Sequence, residues 1–78
     1  MPDPAVQEMA DKLAEDCLQA QLEIGNDRLF VELAQVLGAS SQTLEEAFLT
    51  AVRTRMAERA GRKFLEQKLD EHRVSMPK

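Results

Sequence analysis

The feature that most constrains this chain is the spacing of its apolar residues between positions 6 and 24. Val6, Ala10, Leu13, Cys17, Ala20 and Ile24 recur at intervals of 4, 3, 4, 3 and 4. A half-buried strand would alternate with period two, whereas these intervals keep one face of an α-helix. Met9, Ala14, Leu18 and Leu22 widen that seam into a face, and Glu8, Asp11, Lys12, Glu15, Asp16 and Glu23 occupy the other side. Asp3 is suited to cap the helix, Pro4 to open it, and Gly25 to close it in a left-handed conformation. The pattern predicts a helix over about 4–24.

The rest of the chain reads the same way. No run of alternating β-branched or aromatic residues suggests a strand. "RLFVELAQVL" is apolar nearly all round, with only Arg28, Glu32 and Gln35 forming a polar stripe. It predicts a short second helix over about 27–37, capped by Asn26 or Asp27 and ended by Gly38, sitting at the centre of the core or facing a second subunit. A third helix is predicted over about 42–73, started by Ser41 or by a capping box of Thr43 and Glu46. Residues 74–78 read as a flexible tail. The expected fold class is therefore all-α: a small three-helix unit, one domain over 1–73, with a long C-terminal helix and assembly into an oligomeric helical bundle.

The third helix carries an internal conflict. At 100° per residue, Leu44, Ala47, Phe48, Ala51 and Val52 cluster on one side, while Met56, Ala57, Ala60 and Phe64 cluster nearly opposite. One straight helix cannot bury both faces against one neighbour. Three outcomes are compatible with this: a kink or break near Thr54 or Gly61, a helix sandwiched between two helices of its own chain, or a second half packed on another copy. The last is the expectation taken forward, with Leu29, Phe30, Leu33, Val36, Leu37, Met56, Ala60 and Phe64 as candidate interface residues.

Charge sharpens the division. Ten acids against two bases give residues 1–52 a net charge of -8, and eight bases against four acids give residues 53–78 a net charge of +4. Arg55, Arg59 and Arg62 lie at i, i+4 and i+7 with Lys63 beside them, a candidate strip for an anion or an acidic partner. The same stripe reads equally as a solvated face paired to Glu58, Glu66, Asp70 or the acidic first helix.

The stretch "ELAQVLGASSQTLEEAFLTAV" places Ala34, Gly38 and Leu44 in the register of a helix-turn-helix. Its second helix, however, carries Glu45 and Glu46 and no base, and carboxylates oppose docking against phosphates. It reads as an αα-corner. Chemistry for catalysis is sparse. One His, His72, and one Cys, Cys17, do not make a metal set, and no phosphate loop or nucleophile motif is present. Cys17 falls on the apolar seam, as a small hydrophobe does.

These features predict a non-enzymatic regulator or adaptor acting through protein–protein contacts as a homodimer. Its partners would be itself and another protein. Nucleic acid binding through the basic stripe is the alternative. No cofactor, metal or small-molecule substrate is inferred. The N-terminus lacks the pattern of a signal peptide, and no apolar run reaches the ~20 residues that span a bilayer, so a cytoplasmic, reducing location is expected.

Overall fold

A computed structural model describes residues 3–75. The chain forms three α-helices in sequence, α1 (Pro4–Ile24), α2 (Leu29–Gly38) and α3 (Gln42–Ser75), with no strand among the described residues. Residues 76–78, expected as part of a flexible tail, lie outside the described residues, while the backbone of residues 74 and 75 still continues α3.

The start and stop of α1 follow from its sequence. The Asp3 carboxylate accepts a hydrogen bond from the Ala5 amide at 2.9 Å, and Pro4 occupies the first turn, where its missing N–H costs nothing. Gly25 adopts φ 68°, and the amides of Gly25 and Asn26 both donate to the Gln21 carbonyl. This is the expected left-handed stop.

The second helix starts differently from expectation. It begins at Leu29, with Arg28 at the capping position and no side-chain cap. Asn26 instead closes a local turn: its Oδ1 accepts from the Arg28 amide at 3.0 Å, and its side-chain amide donates to Glu32 at 2.8 Å. The orphan amide of Phe30 donates to Oε1 of Gln21 on α1, 3.0 Å away. A side chain nine residues upstream thus does what a local cap would have done, which no local pattern reveals.

Gly38 ends α2, as expected, and the cap that follows is Ala39 in a right-handed conformation, φ -64°. The Glu45 side chain comes close to Gly38. A Cβ there would sit 2.8 Å from the Glu45 carboxyl group as α3 turns back across it. Ser41, rather than Thr43, caps α3: its Oγ accepts from the Leu44 amide at 3.1 Å. Glu46 accepts from the Gln42 side chain, so the Thr43–Glu46 capping box does not form.

The core lies chiefly between α1 and the first third of α3. Ala10, Ala14, Cys17 and Leu18 of α1 meet Phe48, Ala51 and Val52 of α3, with Ala34 as the one buried residue of α2. Half of these eight residues are alanine, so the helices approach closely and two side chains, Phe48 and Val52, fill the centre. Leu13, Leu29, Phe30, Leu33, Leu37, Leu44, Ala47 and Leu49 pack half-buried around them. The all-round apolar α2 is therefore not the centre of the core. It covers one side of an α1–α3 pair, with Val36 exposed and its other apolar side chains half-buried or buried.

The third helix neither kinks apart nor is sandwiched. It runs unbroken through Thr54 and Gly61 for 34 residues, about 51 Å at ~1.5 Å per residue. From Met56 to Val74 every residue is exposed. The second half of α3 is thus an arm that leaves the body, and the molecule measures 59 × 31 × 13 Å. Its smallest dimension is little more than one helix–helix spacing of ~8–10 Å plus the two backbones.

Candidate functional site

Two surfaces concentrate the uncovered apolar chemistry, and each follows from how a helix is placed. The first is a groove of about 380 Å³ between α1 and α2, lined by Leu13, Cys17, Ala20, Leu29, Leu33 and Val36. The carboxylates of Asp16 and Glu32 stand among these residues. The groove exists because α1 turns Ala10, Ala14 and Leu18 toward α3 while Leu13, Cys17 and Ala20 project to one side. There α2 supplies a facing wall but no lid. Val36 remains 67% exposed on that wall. A second hollow, about 450 Å³, lies between Glu8, Met9, Lys12 and Leu13 of α1 and Leu44 of α3.

The second surface is the arm. Met56, Ala60 and Phe64 follow one another at i, i+4 and i+8, all exposed, and Phe64 is 56% exposed. Lys68 lies over the Phe64 ring at 5.7 Å from its centre, covering part of the face with its aliphatic stem. Leu65 and Leu69, one turn apart and nearly opposite the Met56–Ala60–Phe64 face at 100° per residue, are also exposed. They were not among the sequence-derived interface residues, although their i, i+4 spacing in a helical pattern is a readable signal.

The eight candidate interface residues thus divide. Leu29, Leu33 and Val36 line the α1–α2 groove, and Phe30 and Leu37 sit half-buried against the core. Met56, Ala60 and Phe64 stand on the arm and line no groove with them. A single chain does not bring the two groups together.

The basic stripe divides as well. Arg55 turns back onto the body. Its guanidinium reaches Asp11 at 3.4 Å and Glu15 at 3.2 Å and also donates to the Ala51 carbonyl. Part of the charge asymmetry is therefore resolved within the chain, acidic α1 beside basic α3. Arg62 pairs with Glu58 one turn earlier, and that carboxylate raises the Arg62 pKa above its ordinary value. Asp70 pairs with Arg73 and Lys68 with Glu71. Among the described residues, no ion pair involves Arg53, Arg59 or Lys63.

Cys17 is buried in the floor of the α1–α2 groove, and burial pushes its thiol pKa up, so it stays protonated. Among the described residues no three His, Cys, Asp or Glu side chains converge as a metal set, and no helix is long and apolar enough to cross a membrane. The class defined at this point is an all-α three-helix protein with a projecting C-terminal helix. Comparison with protein-family models, with curated proteins and with solved structures found no match to this chain.

Proposed function

We propose that this protein is a non-enzymatic regulator or adaptor that works by protein–protein contact, and that it does so as a homodimer. The observation that carries this reading is the arm. Some twenty residues of α3 leave the body with Met56, Phe64, Leu65 and Leu69 facing solvent. In a chain whose core is eight residues, half of them alanine, a large apolar area left outside is a surface meant to be covered. The uncovered α1–α2 groove points the same way, because a domain's helices ordinarily bury their apolar faces in two packed layers. An oligomeric helical bundle supplies the missing layer.

The alternative, nucleic acid binding through Arg55, Arg59, Arg62 and Lys63, is less well supported. Arg55 is committed to Asp11 and Glu15, and Arg62 to Glu58. What is left to meet phosphates, Arg59 and Lys63 with Arg53 nearby, is a thin strip on a chain of net charge -4.

Sedimentation of the purified chain at micromolar concentration tests the homodimer. A species of twice the 8.8 kDa chain mass is expected, and a clean one-chain mass would remove the dimer from the proposal. Affinity capture from native extract then separates a regulator with its own partner from a chain that binds only itself. A salt titration against duplex and single-stranded nucleic acid decides the alternative: absence of binding at low salt would eliminate it.

A further inference from the structure

We infer that the arm of one copy seats its Met56–Ala60–Phe64 face in the α1–α2 groove of a second copy, the two arms being exchanged reciprocally about a two-fold axis. The inference rests on the protein-contact reading above and specifies what covers what.

The residues lining the groove come from α1 and α2, and α3, which packs against both of these helices, contributes none, so the groove has the form of a seat for one more helix. A helix placed there would complete a four-helix arrangement of the kind that buries facing apolar stripes. The arm has the matching form. Its residues 56–75 extend about 30 Å at ~1.5 Å per residue, and Met56, Ala60 and Phe64 present a large–small–large ridge along it. The chain's own arm cannot fill its own groove. Residues 42–75 form one unbroken helix, and a continuous helix cannot turn back on itself. The occupant that this chain can supply is therefore another copy's arm.

Charge selects this arrangement over the simplest competitor, in which two arms pair with each other. Residues 53–63 carry five bases and one acid, and residues 1–52 carry a net charge of -8. Two arms paired in parallel would bring such basic segments together, and the arm as a whole, residues 56–75, carries five bases and four acids, so it offers a second arm no net opposite charge. Arm against groove brings Arg59 and Lys63, which border the Met56–Ala60–Phe64 face and have no ion-pair partner among the described residues, toward Glu32 and toward Asp16, whose neighbour in its own chain is Lys12. Electrostatic matching of this kind fixes register and rejects the wrong pairing. Each copy has one arm and one groove, so a two-fold exchange satisfies both and closes. An exchange that did not close would propagate into open chains of copies.

The test uses the full chain carrying a photoreactive phenylalanine analogue at position 64, mixed as isotope-labelled and unlabelled protein. The expected cross-links join chains of different label and map to 13–20 and 29–36. Cross-links that map to the partner's residues 56–75 would overturn the groove and leave a dimer of another geometry, so the protein-contact reading would survive. A one-chain mass at all concentrations would overturn both the groove and the homodimer. Masses that grow with concentration beyond two chains would overturn the reciprocal exchange. Charge reversal gives an independent arm of the test at two exposed positions, with helicity as the folding control. Asp16→Lys and Lys63→Glu should each weaken self-association about tenfold, and the double variant should return to within about threefold of the unaltered chain. Additive losses in the double variant would overturn the pairing of these two surfaces.

Discussion

Phe48 and Phe64 stand sixteen residues apart on one helix and are predicted to answer the same substitution in opposite ways. Phe48 has no solvent exposure and is the largest fully buried side chain. Four of the other seven residues in its buried cluster are alanines, which have no side-chain length with which to collapse into a void. Phe48→Ala should therefore lie in the usual range for buried Phe truncation, about 3–5 kcal/mol. A chain of 78 residues has a total stability of about 4–12 kcal/mol at ~0.05–0.15 kcal/mol per residue. The loss is thus between a quarter and the whole of it. In urea, with an m-value of about 1 kcal/mol per molar for so small a chain, the midpoint should fall by about 3 M or the transition should disappear. Far-UV circular dichroism at fixed protein concentration reads this directly. Phe64→Ala, at a half-exposed position with no tertiary neighbour, should change the stability of the dissociated chain by no more than about 0.5 kcal/mol, while weakening self-association. A Phe48→Ala loss below about 1 kcal/mol would refute the placement of the core between α1 and the first third of α3.

Other substitutions test the corners. Gly25→Ala should cost about 1 kcal/mol, since φ 68° strains any side chain although nothing crowds a Cβ there; Gly38→Ala, in a right-handed position where only the mobile Glu45 carboxylate must move, should be neutral or stabilising by up to about 1 kcal/mol. Equal losses at the two glycines, by thermal melting, would contradict this assignment. Ser41→Ala should cost about 1 kcal/mol through loss of the Leu44 amide bond, whereas Thr43→Ala should not; reversed magnitudes would place the cap at Thr43. Because burial raises the Cys17 pKa in the folded chain, its contribution to stability is complete below the unfolded thiol's pKa and is lost as pH rises through the folded value. Accordingly, a disulfide reagent should modify Cys17 more slowly than a free thiol at neutral pH, and a rate equal to that of a free thiol would show the site to be open.

The helices were legible because each is specified locally. The intervals from Val6 to Ile24, the Asp3 cap and the Gly25 stop all act within a few residues, and all are realised. Seam membership was legible only in part. Ala10, Ala14, Cys17 and Leu18 are buried, but Met9, Leu22 and Ile24, counted on the same face, are exposed. What sequence could not give were the non-local choices. Gln21 capping Phe30 depends on how α2 folds back on α1, and the approach of the Glu45 carboxylate to Gly38 depends on how α3 turns back across α2. The pairing of Arg55 with Asp11 and Glu15 spans forty residues and more. The face swap after Val52 was visible, yet whether a kink, a sandwich or a projecting arm would resolve it depended on where the rest of the body stops.

That resolution bears on why the arm is helical at all. Within it, the pairs Glu58–Arg62, Lys68–Glu71 and Asp70–Arg73 are exposed to solvent and contribute little. Gly61 takes back up to about 1 kcal/mol relative to alanine. Fixing a residue's backbone costs about 1–2 kcal/mol, which helix propagation only just offsets in good helix formers. An isolated segment of this length would be marginal. The arm is relieved of the nucleation cost because the docked first third of α3 is already helical and passes its register on. It is therefore pre-ordered enough to present Met56, Ala60 and Phe64 as one ridge. A helix poised in that way gains from docking chiefly the burial of its apolar face, with much of the ordering entropy already spent in the body. This is the physical reason for treating the arm as one half of an interface rather than as an overlong terminus.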